Sequence, residues 1–239
     1  MSETSEDRFL GGAVLVRQKL SGFRAGLDAV ILAAAVPALA GEDVLELGSG
    51  AGTASLCLAR RVPARLKGME IDPELVALAQ DNARENGLSE RVSFVTADIF
   101  ALPVCFRKPF DHVFCNPPFH DEAGEAPPDA ARARALQDGG KLSGWLTAGM
   151  KRTVSGGSFT TILRADRLGE ALAALPDRGV TVFPLWPKAG VAAKRVILQA
   201  CQGSRTPVQM LAGLVLHEAD GKYTAEADAV LRGGAALPL

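Results

Sequence analysis

Residues 43–61 read DVLELGSGAGTASLCLARR, and the architecture of the chain can be worked out from this stretch. The apolar residues at 43–47 predict a short buried strand, whereas residues 53–61 predict a helix. Every second residue from 48 to 52 is glycine, and glycine permits the sharp backbone turn that a direct strand-to-helix connection requires. The stretch therefore predicts the first strand, turn and helix of an α/β fold.

Strands and helices continue to alternate on the C-terminal side of this turn. A helix is predicted over Pro73–Asn86, because Asp72 can cap its first turn, proline suits the first helical position and Gly87 can end it. This alternation favours a parallel sheet with helices on both faces. Apolar runs predict the other early strands at 66–71, 92–96 and 110–115.

The C-terminal half of the chain is richer in strands. Helices are predicted over 142–151 and 167–175, and strands at 158–163, 180–183, 195–201 and 211–217. Since no long helix separates the last two strands, we expect an antiparallel strand at the edge of the sheet. The sequence thus predicts a mostly parallel sheet with one antiparallel strand.

The composition is that of an ordinary globular protein. The 239 residues are 48% hydrophobic and 22% charged with a formal net charge of −1, which excludes a binder that relies on bulk positive charge. We predict one domain over 43–239, with residues 1–42 as an N-terminal extension packed on it. The four scattered cysteines argue against disulfides or a zinc site and favour the cytoplasm. No secretory signal is expected, and the apolar run at 29–40 is too short to span a bilayer.

The glycine spacing indicates the kind of ligand that the turn would hold. A dinucleotide fingerprint, G-x-G-x-x-G, needs glycine at position 53, where this chain has threonine. The G-x-G-x-G turn of Gly48, Gly50 and Gly52, preceded by Glu46, better fits an adenosyl ligand without a pyrophosphate. The alternative is a tight turn that binds nothing.

Two acidic residues lie at the ends of the next two strands, Glu70 within the second strand and Asp98 after the third. Glu70 lies about twenty residues after the glycines, where a carboxylate can accept both hydroxyls of a ribose. Asp98, after the third strand, is positioned to accept from an adenine amino group. A solvated carboxylate at Glu70 and a turn cap at Asp98 are the alternatives.

The most specific signal is Asn116-Pro117-Pro118-Phe119, directly after the fourth predicted strand. Two prolines stiffen the backbone, and the amide oxygen of Asn116 and the carbonyl of Pro117 can together grip the two hydrogens of a planar –NH₂ group. Such acceptors favour the positive charge that develops as the nitrogen attacks an electrophile. Phe119 offers a face on which a base can stack. The alternative is a rigid turn that starts with asparagine.

Together these motifs resemble the S-adenosylmethionine-dependent amino-methyltransferases that carry an Asn/Asp-Pro-Pro-Tyr/Phe motif, over about residues 24–200. The resemblance implies an α/β, Rossmann-like class I methyltransferase fold, with a seven-stranded, mostly parallel sheet that has one antiparallel strand. It implies S-adenosyl-L-methionine as cofactor. It implies catalytic roles for Asn116, Pro117 and Phe119. It also implies a cofactor site built from Asp28, Glu46, Gly48, Gly50, Gly52, Glu70, Ile71, Asp98, Ile99 and Asn116, with Asp28 at the methionine end.

Two flanking segments narrow the resemblance. Residues 22–33 and 216–225 are similar to segments of the small bacterial tRNA1(Val) adenine-37 N6-methyltransferase group. Two departures leave the methylated base open. Phe119 followed by His120 also resembles the ribosomal-RNA guanine-N2 methyltransferases, and residues 24–26 read Arg-Ala-Gly where the group tends to carry Arg-Phe-Ser.

RNA contact requires positive charge near the opening through which the substrate reaches Asn116-Pro117-Pro118-Phe119. The predicted substrate-binding residues are Pro118, His120, Arg132, Arg134 and Lys141. Other candidates are the cations at 17, 19, 24, 194 and 195. A solvated surface charge is the alternative for each of these cations and for Arg132, Arg134 and Lys141. Trp145 and Trp186 are interpreted as core residues, and no metal is expected.

The predicted function is methyl transfer from S-adenosylmethionine to an exocyclic amine of an RNA base, with adenine N6 in tRNA as the first choice. Guanine N2 of ribosomal RNA and a protein glutamine amide are alternative acceptors, although the second usually goes with a separate N-terminal helical domain. A cofactor-binding scaffold without turnover is the non-enzymatic alternative. The sequence leaves the oligomeric state open.

Overall fold

The computed structural model describes residues 3–101, 108–118 and 142–239. Its helices are α1 (Leu27–Ala35), α2 (Thr53–Arg61), α3 (Pro73–Glu85), α4 (Leu142–Arg152), α5 (Leu168–Ala174) and α6 (Ala225–Leu231), with short 3-10 helices at Leu10–Gly12 and Ala165–Arg167. Its strands are β1 (Thr4–Phe9), β2 (Val14–Lys19), β3 (Asp43–Leu47), β4 (Arg65–Glu70), β5 (Val92–Thr96), β6 (Phe110–Cys115), β7 (Thr153–Arg164), β8 (Val180–Lys188), β9 (Arg195–Cys201), β10 (Gln209–Met210) and β11 (Leu214–His217).

The central sheet has the strand order β10-β8-β9-β7-β6-β3-β4-β5, and β11 also pairs with β8. Strands β3 to β8, with β9, give the predicted seven-stranded sheet, in which only β9 runs antiparallel to its neighbours. Register places Leu47 beside both Met69 and Cys115. The carboxyl ends of β3, β4 and β6 therefore lie at the same level, and the loops that follow them meet.

The position expected for the antiparallel strand was wrong. β9 lies between β7 and β8 rather than at the edge, which is formed by β10 and β11 pairing parallel with β8. A hairpin links β8 directly to β9 and forces them to be antiparallel neighbours. Residues 196–198 are buried, so an internal position lets β9 bury both of its faces.

Local signals confirm the predicted ends of α3. The Asp72 side chain accepts a hydrogen bond from the backbone N–H of Glu74 (2.8 Å), and Pro73 occupies the first helical position. Gly87 follows with φ +67°, a left-handed conformation that stops the helix at little steric cost. Both ends of α3 are thus encoded by residues next to them in the chain, Asp72 and Pro73 at the start and Gly87 at the end.

Two hydrophobic clusters cover the faces of the sheet. One includes α1, α2 and α6 and residues such as Ile31, Leu56 and Phe183, and the other includes α4 and α5 with Leu146, Phe159 and Val182. Burial of this apolar surface on both sides is the main stabilising contribution to the fold. No helix within the described ranges is long and apolar enough to cross a membrane.

The first two strands form an N-terminal hairpin that the sequence analysis did not predict. β1 and β2 pair antiparallel in a sheet of their own, and Val14 and Val16 of β2 are fully buried in the cluster that contains α1 and α2. A domain boundary at residue 42 stays a prediction.

Candidate active site at the carboxyl edge of the sheet

The glycine turn connects β3 to α2 and has the backbone conformation that its sequence suggests. Gly48, Gly50 and Gly52 all have positive φ, at +70°, +53° and +86°. A Cβ at Gly48 would lie 2.7 Å from the Trp145 ring, and one at Gly52 would lie 2.6 Å from Phe94. At Gly50 the same position has no atom within 4 Å, so the backbone there is open to a ligand.

Glu70 ties this turn to the end of β4. Its Oε2 accepts from the N–H of Gly50 (2.9 Å), and its Oε1 accepts from the N–H groups of Ile71 (2.8 Å) and Asp72 (3.1 Å). Backbone donors on both sides fix the orientation of the carboxylate while leaving it at the open part of the turn. The side chain therefore sits where the sequence predicts a ribose-binding acid.

Asp98 and its neighbours extend the edge beyond β5. One oxygen of Asp98 accepts from the N–H of Phe100 (2.8 Å), which is the turn cap weighed in the sequence analysis. Ile99 is buried, whereas Ile71 is half exposed. The cap holds the Asp98 side chain in a fixed conformation at the carboxyl edge.

Asn116 directly follows β6, and β6 neighbours β3 at the level of the glycine turn. Its Oδ1 is buried and has no hydrogen-bond partner within the described residues, and the same holds for the hydroxyl oxygens of Ser49 and Thr53 in and beside the turn. An unpaired buried acceptor costs about 1–3 kcal/mol. Three such oxygens around one turn indicate a site built for a polar ligand.

Of the remaining predicted residues, the structure describes some and leaves others outside the described ranges. Pro117 is buried and Pro118 exposed, whereas Asp28, in the first turn of α1, forms an ion pair with Arg195 at the start of β9 (2.9 Å). The predictions for Phe119, His120, Arg132, Arg134 and Lys141 lie outside the described residues. The proposed cations at positions 17, 19 and 24 each pair with a carboxylate near the N-terminal hairpin.

Comparison with known proteins identifies the family. A model of the methyltransferase domain matches residues 44–140. A tRNA1(Val) (adenine(37)-N6)-methyltransferase of Aeromonas hydrophila subsp. hydrophila is 31% identical over 207 residues, which cover 84% of this chain and 85% of that protein. The chain belongs to this methyltransferase family.

Two further comparisons agree with this assignment. A Shewanella baltica protein with the same name as the Aeromonas protein is 26% identical to this chain over 209 residues, which cover 85% of this chain and 88% of that protein. A solved structure described as a predicted O-methyltransferase from Agrobacterium tumefaciens has a TM-score of 0.73 and 26% identity, covering 88% of this chain and 98% of that chain. The likeness thus extends over most of the chain.

The methyltransferase depends on S-adenosylmethionine, and the residues at the carboxyl edge fit this group. The open backbone at Gly50 admits a ligand, the Glu70 carboxylate can accept from hydroxyls, and the unpaired oxygens of Ser49, Thr53 and Asn116 can accept from donors. Within the parts of the chain that the structure describes, no group of three or more metal-ligating side chains comes together.

Glu46, predicted as a cofactor contact, lies in an environment that suits a structural role. It is 4% exposed, and its Oε2 accepts from both the N–H (3.1 Å) and the hydroxyl (2.5 Å) of Ser55 in the first turn of α2. Desolvation raises the pKa of Glu46 from 4.5 to about 8, although the bonds from Ser55 oppose the shift. The carboxyl group therefore anchors α2 to β3 in its neutral form at pH 7.

This raised pKa predicts a pH dependence of stability. The unfolded chain releases the Glu46 proton near pH 4.5 and the folded chain near pH 8, so the contribution of Glu46 to stability is greatest below pH 4.5 and is lost as the pH rises to 8. We expect the difference in unfolding free energy between wild type and Glu46→Gln to shrink by about 1.4 kcal/mol per pH unit over this window. Urea denaturation of both proteins at pH 5 and pH 8 measures this, and a constant difference would contradict it.

Trp145 packs against the hydrophobic cluster of α4 and α5, as the sequence analysis interpreted it, and it also lies beside the glycine turn. Its ring is half-buried, lies against Gly48, and meets the Phe100 ring edge to face with centroids 6.1 Å apart. The pair links α4 with the loop after β5 and closes one side of the glycine turn. The absence of a side chain at Gly48 is the only local signal for this contact.

Asn82 on α3 is a second residue that the sequence analysis missed. It is fully buried, and its Nδ2 donates to the carbonyls of Ala51 in the glycine turn (2.9 Å) and Arg17 in β2 (3.0 Å), while its Oδ1 accepts from the N–H of Arg17 (2.9 Å). One turn later, Asn86 bonds the N–H and carbonyl of Leu15 in the same way. The two amides hold β2 against α3, but only Asn82 also holds the glycine turn.

This difference makes Asn86 a matched control for Asn82. We expect Asn82→Ala to lower the unfolding free energy by about 2–4 kcal/mol, because it leaves buried backbone groups unpaired. We also expect it to raise the Kd for S-adenosylmethionine about tenfold, equivalent to about 1.4 kcal/mol. Asn86→Ala should lose comparable stability with an unchanged Kd. Calorimetric titration of both variants is the test, and equal Kd values would show that Asn82 does not position the turn.

Proposed function

We propose that the methyltransferase transfers a methyl group from S-adenosylmethionine to N6 of an adenine in tRNA, and that it does so in the cytoplasm. The observation that carries the proposal is the buried, unpaired Oδ1 of Asn116 beside the glycine turn. Relatives that carry the name tRNA1(Val) (adenine(37)-N6)-methyltransferase support the choice of base and RNA.

Asn116 and Pro117 prepare the acceptor nitrogen. The amino group of adenine is a weak nucleophile, because its lone pair is delocalised into the ring. The amide oxygen of Asn116 and the carbonyl of Pro117 accept its two hydrogens, favour a pyramidal nitrogen, and stabilise the positive charge that develops on it. Because proline fixes φ, the two acceptors are held in place before the substrate arrives.

The remaining predicted residues hold the cofactor and the base. S-adenosylmethionine supplies a methyl group made electrophilic by the adjacent positively charged sulfur. Glu70 accepts from the ribose hydroxyls, and Asp98 accepts from the amino group of the cofactor's adenine. Phe119 stacks on the target base, which must leave its own stack to reach the site. As the N–C bond forms, the bond between the methyl group and sulfur would break with its electron pair going to sulfur, which leaves S-adenosylhomocysteine. The amino nitrogen becomes cationic, and it then releases one proton to water.

The test is methylation of defined substrates by the purified protein. A tRNA1(Val) transcript, its variant with guanine at position 37, ribosomal RNA and ribosomal proteins are each incubated with cofactor that carries a labelled methyl group. We expect N6-methyladenosine, identified by nucleoside mass spectrometry, in the first transcript alone. Label in N2-methylguanosine or in protein would replace the proposed acceptor, and no label in any substrate would reject it.

A further inference from the structure

The central sheet does not end at one level along its carboxyl edge. Cys115 of β6 pairs with Thr161 of β7, which pairs with Leu198 of β9, which in turn pairs with Val182 of β8. β8 continues to Lys188, six residues beyond that level, or about 20 Å at about 3.3 Å per residue. Residues 185–195, the upper part of the β8–β9 hairpin, therefore form a wall that projects past the candidate active site.

The wall stands on the side from which an acceptor must approach. Most of the predicted cofactor residues lie at or just beyond the carboxyl ends of β3, β4 and β5, with Asp28 in α1, and Asn116 follows β6. The space that remains open to a substrate therefore lies over β6 and the strands beyond it. Three strand spacings of about 4.8 Å separate β6 from β8, about 14 Å in all. A nucleic-acid strand that reaches Asn116 over β7 and β9 would meet the wall.

The composition of the wall suits such a strand. Residues 185–195 read LWPKAGVAAKR, with three cations and no acidic residue, in a chain whose formal net charge is −1. Trp186 and Val215, which are paired neighbours on β8 and β11, line a shallow apolar hollow with residues 189–192 at the hairpin tip. Val191 in this hollow is 45% exposed. An aromatic and apolar surface bordered by cations is the usual platform for an unpaired nucleotide strand.

Carboxylates lie near two of the three cations of the wall, Arg195 and Lys188. Arg195 lies directly across from Arg164 of β7, and Asp28 and Asp166 each pair with one of these two arginines. Lys188 donates to the backbone carbonyl of Ala219 (3.0 Å) and interacts with the nearby Asp220. The exposed Lys194 adds a further positive charge beside the Arg195–Asp28 pair.

We propose that this wall is a binding surface for the substrate RNA, in which Lys188 and Lys194 contact phosphates and the hollow at Trp186 receives a base that lies outside the active site. The proposal rests on the proposed function, since it places an RNA strand across the carboxyl edge. The spacing across the sheet and the rise along β8 are perpendicular, so Trp186 and Lys188 lie about 19 and 24 Å from the end of β6. At about 3.4 Å per stacked nucleotide, this corresponds to about six to seven nucleotides from the target.

The principal test removes both lysines from the full chain. For Lys188→Ala with Lys194→Ala, we expect the Kd for a tRNA1(Val) transcript to rise about tenfold, and the slope of log Kd against log salt to fall by about 1.4, at about 0.7 for each phosphate contact on a single strand. Binding is measured by fluorescence anisotropy over a range of salt concentrations. The Kd for S-adenosylmethionine should not change, because neither lysine approaches the glycine turn.

The matched control removes two cations from the opposite edge of the sheet. Lys151 precedes β7 and Arg178 precedes β8, and Arg178 donates to the backbone carbonyl of Arg205 much as Lys188 does to Ala219. Lys151→Ala with Arg178→Ala should leave RNA affinity near that of the wild type. Equal losses in the two double variants would mean that only overall charge matters, and would overturn the proposal.

A second variant tests the hollow. Trp186→Leu keeps an apolar side chain but removes the aromatic face, and we expect RNA affinity to fall about fivefold or more, as for loss of one stacked base. Unchanged affinity in a variant that melts like the wild type would remove the hollow from the proposal. If the wild type methylates the transcript but the lysine variants bind it normally, the wall is wrong and the proposed function stands. If the wild type neither binds nor methylates RNA, the proposed function fails first.

Discussion

Replacing Asn116 with alanine is expected to lower kcat by about 10²–10³-fold, the usual loss when one preorganised polar group is removed from a charge-stabilising site. Within the described residues the buried Oδ1 has no hydrogen-bond partner, so its removal breaks no hydrogen bond among them. We therefore expect an unchanged melting temperature and little change in the Kd for S-adenosylmethionine. Single-turnover methylation of saturating RNA measures the chemical step directly.

Asn116→Asp provides the matched comparison. Aspartate keeps an acceptor oxygen at the same place, so this variant should retain more activity than Asn116→Ala. A kcat near the wild-type value in Asn116→Ala would reject the role of this oxygen. Loss of cofactor binding together with kcat would assign Asn116 to the cofactor site rather than to the acceptor.

Replacing Glu70 with alanine should have the largest effect on cofactor binding. The carboxylate accepts from the N–H groups of Gly50, Ile71 and Asp72, and the proposal adds two ribose hydroxyls. Each hydrogen bond to a charged acceptor contributes about 1.5–3 kcal/mol. We expect the Kd for S-adenosylmethionine to rise about 100-fold or more, at about 1.4 kcal/mol for each factor of ten.

The control for this prediction is Glu74→Ala. Glu74 lies four residues away on the first turn of α3, is exposed, and forms an ion pair with Lys19 rather than contacting the glycine turn. Its removal should leave the Kd unchanged in calorimetric titration. A Glu70→Ala variant that binds the cofactor as tightly as the wild type would show that the carboxylate has only a structural role.

These two predictions concern residues that the sequence alone identified, and the reason is local. Glu70 and Asn116 each follow an apolar strand, and the carboxyl ends of parallel strands share one edge of a sheet. The glycine spacing and the two prolines constrain the backbone between neighbouring residues, so their effect can be read without knowing what packs against them. The roles of Phe119 and His120 remain predictions from the sequence.

Contacts between residues distant in the chain could not be predicted in the same way. Asn82 is an unremarkable polar residue in the pattern of α3, and its bonds to the glycine turn depend on the N-terminal hairpin packing beside that helix. In the sequence, Trp145 has only the pattern of a core residue, and its contact with Gly48 depends on how α4 packs. In both cases the partner lies more than thirty residues away and is chosen by packing.

The sequence itself determined four features: the order of the alternating strands and helices, the cap of α3, the glycine turn, and the Asn116-Pro117 pair of acceptors after β6. Each depends on residues that are close together in the chain. Tertiary structure alone decided that β9 lies between β7 and β8 and that residues 185–195 project beyond Asn116. It also decided that the Glu46 carboxyl group, which anchors α2, is neutral. The physical reason is that periodicity fixes which face of a strand is buried, whereas its neighbours and its solvation are set by how the whole core packs.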